Sequence, residues 1–315
     1  MAKTFNNFGI KVDVIICSRN PKIQLLKRSL NSVLNQKSMP NGVFLVDNGS
    51  DIPLSLQLSE YETRVAFLFE SKAGLVHARV KGIEASTADY LLFVDDDNVL
   101  DADYLEEAMK FMVNNEGVGA IGGRSSLPTK YRTRKSLRPL IDGLGIRDYG
   151  EEVLIGNTPD WGRWEPIGAG MVVRNEVAKL FVEKYRNFSA VQCLGRSNKG
   201  ILGGEDAFIV RCAYEIELKA AYVPALSLTH WVGQHRLRPG YLLRLSYGYG
   251  RSRVILNAAL KACGMESSSN QNTPIRVWTA LVFRLKQHPI RGLFYFAGDL
   301  GELHEKLDNS NLNRE

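Results

Sequence analysis

Cysteine is scarce in this chain. Only Cys17, Cys193, Cys212 and Cys263 occur among 315 residues, and no two stand at a metal-ligand spacing. A zinc-stapled or disulfide-stapled scaffold is thereby disfavoured, and a reduced cytoplasmic chain is expected. No apolar run approaches the length of a membrane-spanning helix. Met1 to Lys11 lack the apolar core of a secretion signal. There is no internal repeat, and low complexity is confined to Ser267-Ser268-Ser269. The first apolar strand is followed by Cys17-Ser18-Arg19-Asn20-Pro21, without glycine. That argues against the glycine-rich phosphate loop of a nucleotidyltransferase. The net charge is +6. A basic balance permits anionic substrates, nucleic acid or an acidic membrane surface and selects none of them; the expected partners include no nucleic acid.

What is present is ordinary globular material, 44% hydrophobic and 23% charged. Val12 to Cys17, Val43 to Val46, Val65 to Phe69 and Tyr90 to Val94 read as short apolar strands. Between them lie helical stretches. One is capped by Asn20-Pro21 and carries Ile23, Leu26, Leu30, Val33 and Leu34 on one face. Another opens at Gly74 and runs to about Ala85. Strands alternating with helices imply an α/β layer with a largely parallel sheet, whose ligands bind beyond the carboxyl ends of the strands. Ser18, Asp47 and Asp95 to Asp97 all sit at such ends. Three successive carboxylates repel one another unless a cation or hydrogen-bond donors offset them. Mg²⁺ or Mn²⁺ suits such oxygen ligands. The competing reading is a polar turn before a helix capped by Asp101.

Farther on, a short strand precedes Gly119 to Gly123, and Ile167 to Val173 reads as a strand entered through small residues. Pro128 to Arg138 is a basic loop. Trp161 and Trp164 stand close together, for packing or for recognition. Gly203-Gly204-Glu205-Asp206 leads into a helix whose face includes Phe208, Ile209 and Cys212. Glu205 and Asp206 either satisfy that helix end or carry chemistry. Helices are expected over Tyr241 to Leu260, Thr273 to His288 and Gly292 to Leu307, rich in arginine and aromatics. They form either a cap packed on the α/β layer or a peripheral membrane contact.

Taken in order, these pieces resemble the family 2 glycosyltransferases, inverting enzymes of the GT-A fold, over roughly residues 10 to 260. The matching stretches are Val12 to Asn20, Val46 to Ser50, Gly74 to Arg79, the triple aspartate, Gly168 to Met171, Gly204 to Asp206, and His230. The resemblance implies a GT-A (Rossmann-like nucleotide-diphospho-sugar transferase) domain over 1–235, with a mixed, largely parallel sheet flanked by helices. A helical C-terminal region over 236–315 would complete it.

It further implies that Ser18, Arg19, Asp47, Arg79, Asp95 and Asp96 bind the nucleotide-sugar, expected to be UDP-linked. Asp97 and His230 would hold Mn²⁺ or Mg²⁺, and Asp206 would be the catalytic base. Gly170, Trp161 and Glu205 would lie on the acceptor side. Arg19 stands where the family often has an aromatic residue, and Val80 where asparagine is common. The expected partners are a nucleotide-sugar donor and a carbohydrate or lipid-linked acceptor. The expected role is cell-surface polysaccharide or glycolipid synthesis, in the cytoplasm or at the inner face of the membrane. The alternatives are a non-catalytic nucleotide- or carbohydrate-binding protein on the same fold, or a sugar nucleotidyltransferase.

Overall fold

The computed structural model describes residues 9–131, 135–158, 161–195, 202–265 and 289–312. Four apolar segments form the parallel half of one sheet: β1 (Val12–Ser18), β2 (Gly42–Asp47), β3 (Ala66–Phe69) and β4 (Tyr90–Asp95). Their order is β3-β2-β1-β4, all parallel. The second half is mixed. It contains β5 (Asn98–Leu100), β6 (Val118–Ser126), β7 (Leu154–Gly156), β8 (Met171–Arg174) and β9 (Lys219–His230). β8 is antiparallel to both β4 and β6, and β9 runs parallel to β6. β5 and β7 each pair antiparallel with β9. The expected mixed, largely parallel sheet is therefore present.

Helices cover both faces because both faces of the central strands are apolar. α1 (Ile23–Leu34) and α4 (Tyr104–Asn114) enclose one core with Val14, Ile16, Leu45 and Leu92. α1 buries Leu26, Leu30, Val33 and Leu34, as its spacing predicted. Each such side chain contributes roughly 1.5–3 kcal/mol relative to exposure. The opposite core is covered by α3 (Leu75–Ala85), α5 (Asn175–Asn187) and α7 (Glu205–Glu215), with Ile15, Phe93 and Val173 beneath. Short helices α2 (Leu54–Gln57) and α6 (Ser189–Gln192) finish the connections. α8 (Pro239–Ala262) and α9 (Pro289–Leu312) complete the described chain. The helix expected over Thr273 to His288 lies outside the described residues, as do Arg132 and Arg134 of the basic loop.

Two expected caps are corrected. Asn20 does not cap α1, which starts at Ile23 after Lys22. Asn20 has φ 49°, a left-handed conformation that asparagine tolerates. Its N–H donates to Ser50 Oγ at 2.9 Å, and its Oδ1 accepts from Asp51 N–H at 2.8 Å. It thus ties the β1 loop to the β2 loop. Asp101 does not cap α4 either. Gln36 takes that role across the fold, with Oε1 accepting from Leu105 N–H at 3.0 Å. Two later strands also differ from expectation. Gly119 to Gly123 lie inside β6, and the strand expected from Ile167 begins only at Met171.

The C-terminal helices touch the rest of the molecule at several points. Leu144, Val232, Leu242, Leu245 and Phe294 form a third apolar cluster. Ser252 of α8, buried, accepts from Gly203 N–H at 2.9 Å and donates to Gly248 O at 2.8 Å. α8 and α9 meet backbone to backbone. A Cβ on Gly250 would stand 1.8 Å from Gly298 O, and one on Gly301 would stand 2.0 Å from Tyr247 O. No side-chain rotation relieves such a clash, so the helices must separate. Gly250→Ala is expected to lower the melting temperature, at a cost of about 1–3 kcal/mol for overpacking. An unchanged melting curve would show that the two helices are not held in this contact.

Candidate active site

Parallel register sets three polar strand ends side by side. Ser18 pairs with Asp47, and Cys17 pairs with Asp95. Asp47 is buried and spends its carboxylate on backbone. Its Oδ1 accepts from Ser50 N–H at 2.8 Å and its Oδ2 from Leu54 N–H at 3.0 Å. Ser18 donates its hydroxyl to Asp96 Oδ2. Burial, together with the charges of Asp97 and Asp95, pushes the Asp96 carboxyl up to about 6, while Ser18 opposes the shift. Arg19 is exposed just beyond β1.

The turn after β4 is shaped by Asn98, which is fully buried. Its Oδ1 accepts from Asp95 N–H at 3.1 Å. From the other side β9 delivers His230, paired in register with Asn98. Getting β9 there requires a register shift against β6 between Gly122 and Arg124. Gly123 permits it, since a Cβ there would stand 1.9 Å from Leu226 O. His230 Nε2 then lies 3.0 Å from Asp97 Oδ1. Arg236 Nη1, unforeseen from the sequence, is 3.6 Å from Asp97 Oδ2.

One ligand atom from each of Asp95, Asp97 and His230 falls within 4.8 Å of the others. Two carboxylates and an imidazole suit Mn²⁺ or Mg²⁺, with oxygen the preferred donor. His230 Nδ1 is buried and has no hydrogen-bond partner among the described residues. The residues present fit a divalent cation, and Asp95 joins Asp97 and His230 in the set.

Arg79, from α3, lies beneath this turn and is buried. Its Nη1 donates to Glu205 Oε1 at 3.0 Å, and its Nη2 is 3.8 Å from Asp95 Oδ1. Burial works against its charge, but Glu205, Asp95 and Asp206 more than offset it. Arg79 therefore joins the aspartate turn to the α7 N-terminus.

Glu205 and Asp206 open α7 after Gly204, whose φ of 110° favours glycine. Asp206 is half-buried. Its Oδ2 accepts from Gly168 N–H at 3.1 Å and its Oδ1 from Ala207 N–H at 2.8 Å. Gly168 was matched from the sequence, but its bond to Asp206 was not foreseen. A Cβ at Gly168 would meet Arg79 Nη2 at 2.1 Å. Gly170, at φ 78°, accepts from Tyr104 O–H at 2.5 Å through its carbonyl. Trp161 stands apart from these bonds. It is 53% exposed, with the Arg147 guanidinium 5.7 Å from its ring. Strand register, hydrogen bonds and ion pairs thus link Ser18, Asp47, the triple aspartate, Arg79, Glu205, its neighbour Asp206, and His230.

A mixed sheet with carboxylates at its parallel strand ends and an acidic helix start opposite is consistent with the GT-A arrangement. A model of the family described as glycosyl transferase family 2 matches residues 13–181, over half of the chain, and the chain belongs to that family. Among curated relatives is a hyaluronan synthase of Streptococcus pyogenes serotype M3. It is 32% identical over 195 residues, 58% of this chain and 45% of that protein. The glycosyltransferase GlyA of Streptococcus pneumoniae serotype 4 is 28% identical over 115 residues, 36% of this chain and 16% of that protein. A glucosyl-dolichyl phosphate glucuronosyltransferase of Haloferax volcanii is 25% identical over 118 residues, 36% of this chain and 38% of that protein. The chain spans less than half the length of each of these relatives.

The raised Asp96 carboxyl has a consequence for stability. The folded state binds the Asp96 proton more tightly than the unfolded chain does. The penalty is therefore fully present above about pH 6 and is lost as pH falls toward 4. In EDTA, Asp96→Asn is expected to stabilise the protein at pH 7.5 by on the order of 1–3 kcal/mol. The gain should shrink to nothing near pH 4. A gain that is the same at both pH values, measured by thermal melts, would rule out this cause.

Proposed function

We propose that this chain is an inverting glycosyltransferase. It moves a sugar from a nucleoside-diphosphate-sugar, UDP-linked in our reading, to an acceptor hydroxyl. The observation that carries the proposal is Asp206 at the α7 start, bonded to Gly168 N–H and joined through its neighbour Glu205 and Arg79 to the Asp95, Asp97 and His230 cluster. Inversion needs a base on the face of the sugar opposite the leaving group, and two separate acidic groups support that division.

Asp206 Oδ2 takes the proton of the acceptor hydroxyl as the new bond to the anomeric carbon forms. Gly168 N–H and Ala207 N–H hold the carboxylate in one orientation, so that little reorganisation remains at the moment of reaction. The bond from the anomeric carbon to the diphosphate breaks in the same step, and Asp95, Asp97 and His230 would hold Mn²⁺ or Mg²⁺, which would offset the charge left on the diphosphate. Ser18, Asp47 and Asp96 bind the nucleoside, and Arg19 stacks on the base through its planar guanidinium. Arg79 acts from below, because its guanidinium is engaged by Glu205 and Asp95. We therefore give it the role of positioning the donor turn rather than clamping the phosphates from above. Gly170, Trp161 and Glu205 face or frame the acceptor. The named hyaluronan synthase relative supports a product in cell-surface polysaccharide or glycolipid synthesis. Among the described residues no helix is long and apolar enough to cross a membrane. A lipid-linked acceptor would call for peripheral contact through the C-terminal helices.

Two variants separate the roles. UDP is expected to bind more tightly with Mn²⁺ than in EDTA, and Asp97→Ala should abolish that difference. Titration curves that coincide with and without metal would remove the metal from the proposal. Asp206→Asn keeps size but accepts no proton. Transfer should fall by about 10²–10⁴-fold while UDP affinity stays near that of the unaltered protein. Near-normal turnover in Asp206→Asn would shift attention to Glu205. A protein that binds UDP with Mn²⁺ but releases none from any UDP-sugar would be a binding protein on this fold.

A further inference from the structure

The segment that presents Gly168 to Asp206 is fastened to α7 a second time, and deep in the interior. Glu165, three residues before Gly168, is fully buried. Its Oε1 lies 2.7 Å from Arg211 Nη1, and Tyr214 O–H donates to the same oxygen at 3.3 Å. Arg211 is 6% exposed and sits on α7 five residues after Asp206, a rise of about 7.5 Å along the helix. Trp164 Nε1–H donates to Tyr214 O–H at 3.1 Å, and the Arg211 guanidinium lies 5.2 Å from the Tyr214 ring. Arg147 Nη1 donates to the Glu165 carbonyl, while the Arg147 backbone exchanges hydrogen bonds with Ser125 in β6. The 164–168 segment is thus held by two elements of the scaffold.

Stability alone is a poor reason for such a pair. Ions taken out of water cost several kcal/mol each, and a well-packed apolar pair often does as well. Here burial raises the Glu165 carboxyl even though Arg211 and Tyr214 oppose the shift, so desolvation is the larger effect. What the pair supplies and an apolar contact does not is a fixed length and direction between the segment and the helix. The Nη1–Oε1 bond, with the Tyr214 hydroxyl on the same oxygen, defines a geometry.

We propose that Glu165 and Arg211 are positioning residues for the base, setting the 164–168 segment on α7 so that Gly168 N–H meets Asp206 Oδ2. This rests on the reading of Asp206 as the base. The pair touches neither donor nor acceptor. It acts on the acceptor half of the reaction and leaves the Asp95, Asp97 and His230 end alone.

The test has two independent readouts. The first is amide hydrogen exchange in the whole chain, followed by nuclear magnetic resonance. In Glu165→Gln the Gly168 amide should exchange roughly tenfold faster or more, while the sheet amides of β4 and β8 keep their protection. Unchanged Gly168 protection overturns the proposal, and so does a uniform loss over the sheet. The second is a double-mutant cycle on UDP release from UDP-glucose, UDP-N-acetylglucosamine and UDP-glucuronate with Mn²⁺. Glu165→Gln alone should slow release, yet add nothing to the loss already caused by Asp206→Asn. Additive losses mean that Glu165 does not act through Asp206 and overturn the proposal. If Asp206→Asn itself loses nothing, the base reading fails, and the Gly168 exchange still decides whether the pair positions the segment. Should Glu165→Gln not fold, Arg211→Lys keeps the charge and loses the fork. It should show the same two effects in smaller measure, and normal values in both overturn the proposal.

Discussion

A buried guanidinium has to be answered by carboxylates, and Arg79 is answered by two from distant parts of the chain. Asp95 closes a strand of the parallel half, and Glu205 opens a helix more than a hundred residues later. Much else adapts to that arrangement. Glycine at 168 leaves the guanidinium in place, because a Cβ there would displace Arg79 Nη2. Gly195, at φ 83°, gives way in the same manner, since a Cβ there would come within 3.0 Å of Glu205 Oε2. The charge of Arg79 survives burial only through its acidic neighbours. Removing one of them leaves a charge without its offset, which is far more costly than the pair is beneficial.

Above Arg79 the balance has the opposite sign. Asp95, Asp96 and Asp97 follow one another without a break, and Arg79, Ser18, His230 and Arg236 all reach their carboxylates. Parallel register fixes Ser18 and Asp47, and the shift of β9 opposite Gly123 of β6 delivers His230. The negative cluster is therefore placed by strands on either side of the turn that carries it.

The parts legible in the sequence were those whose cause is local. Apolar runs ending in Ser18, Asp47 and Asp95 announced strands and the polar residues at their ends. The spacing of Leu26, Leu30 and Val33 announced the face of α1. Order along the chain marked Asp206 and His230 as candidates. What stayed hidden depends on partners far away. The α4 cap comes from Gln36, sixty-nine residues before the amide it serves. Asp101 looked right only because local rules see adjacent residues. Asn20 looked like a cap for the same reason, when its real task is to bridge two loops. Glu165 and Arg211 are forty-six residues apart and carry no motif. Arg79 was matched as a nucleotide-sugar contact, but the carboxylates that occupy it could be seen only in three dimensions. The helices past residue 238 were legible as helices, whereas their tie to Gly203 through Ser252 was not.

That last tie bears on how such a chain can diversify. α8 and α9 cross with carbonyl oxygen against glycine, and the Arg251–Glu305 and Arg253–Glu302 pairs flank that crossing. Ser252 passes the position of the crossing to the backbone just ahead of Glu205. Positions on the two helices that take part in neither contact are consequently free to drift in sequence, taking on new surfaces or losing old ones, without moving the start of α7.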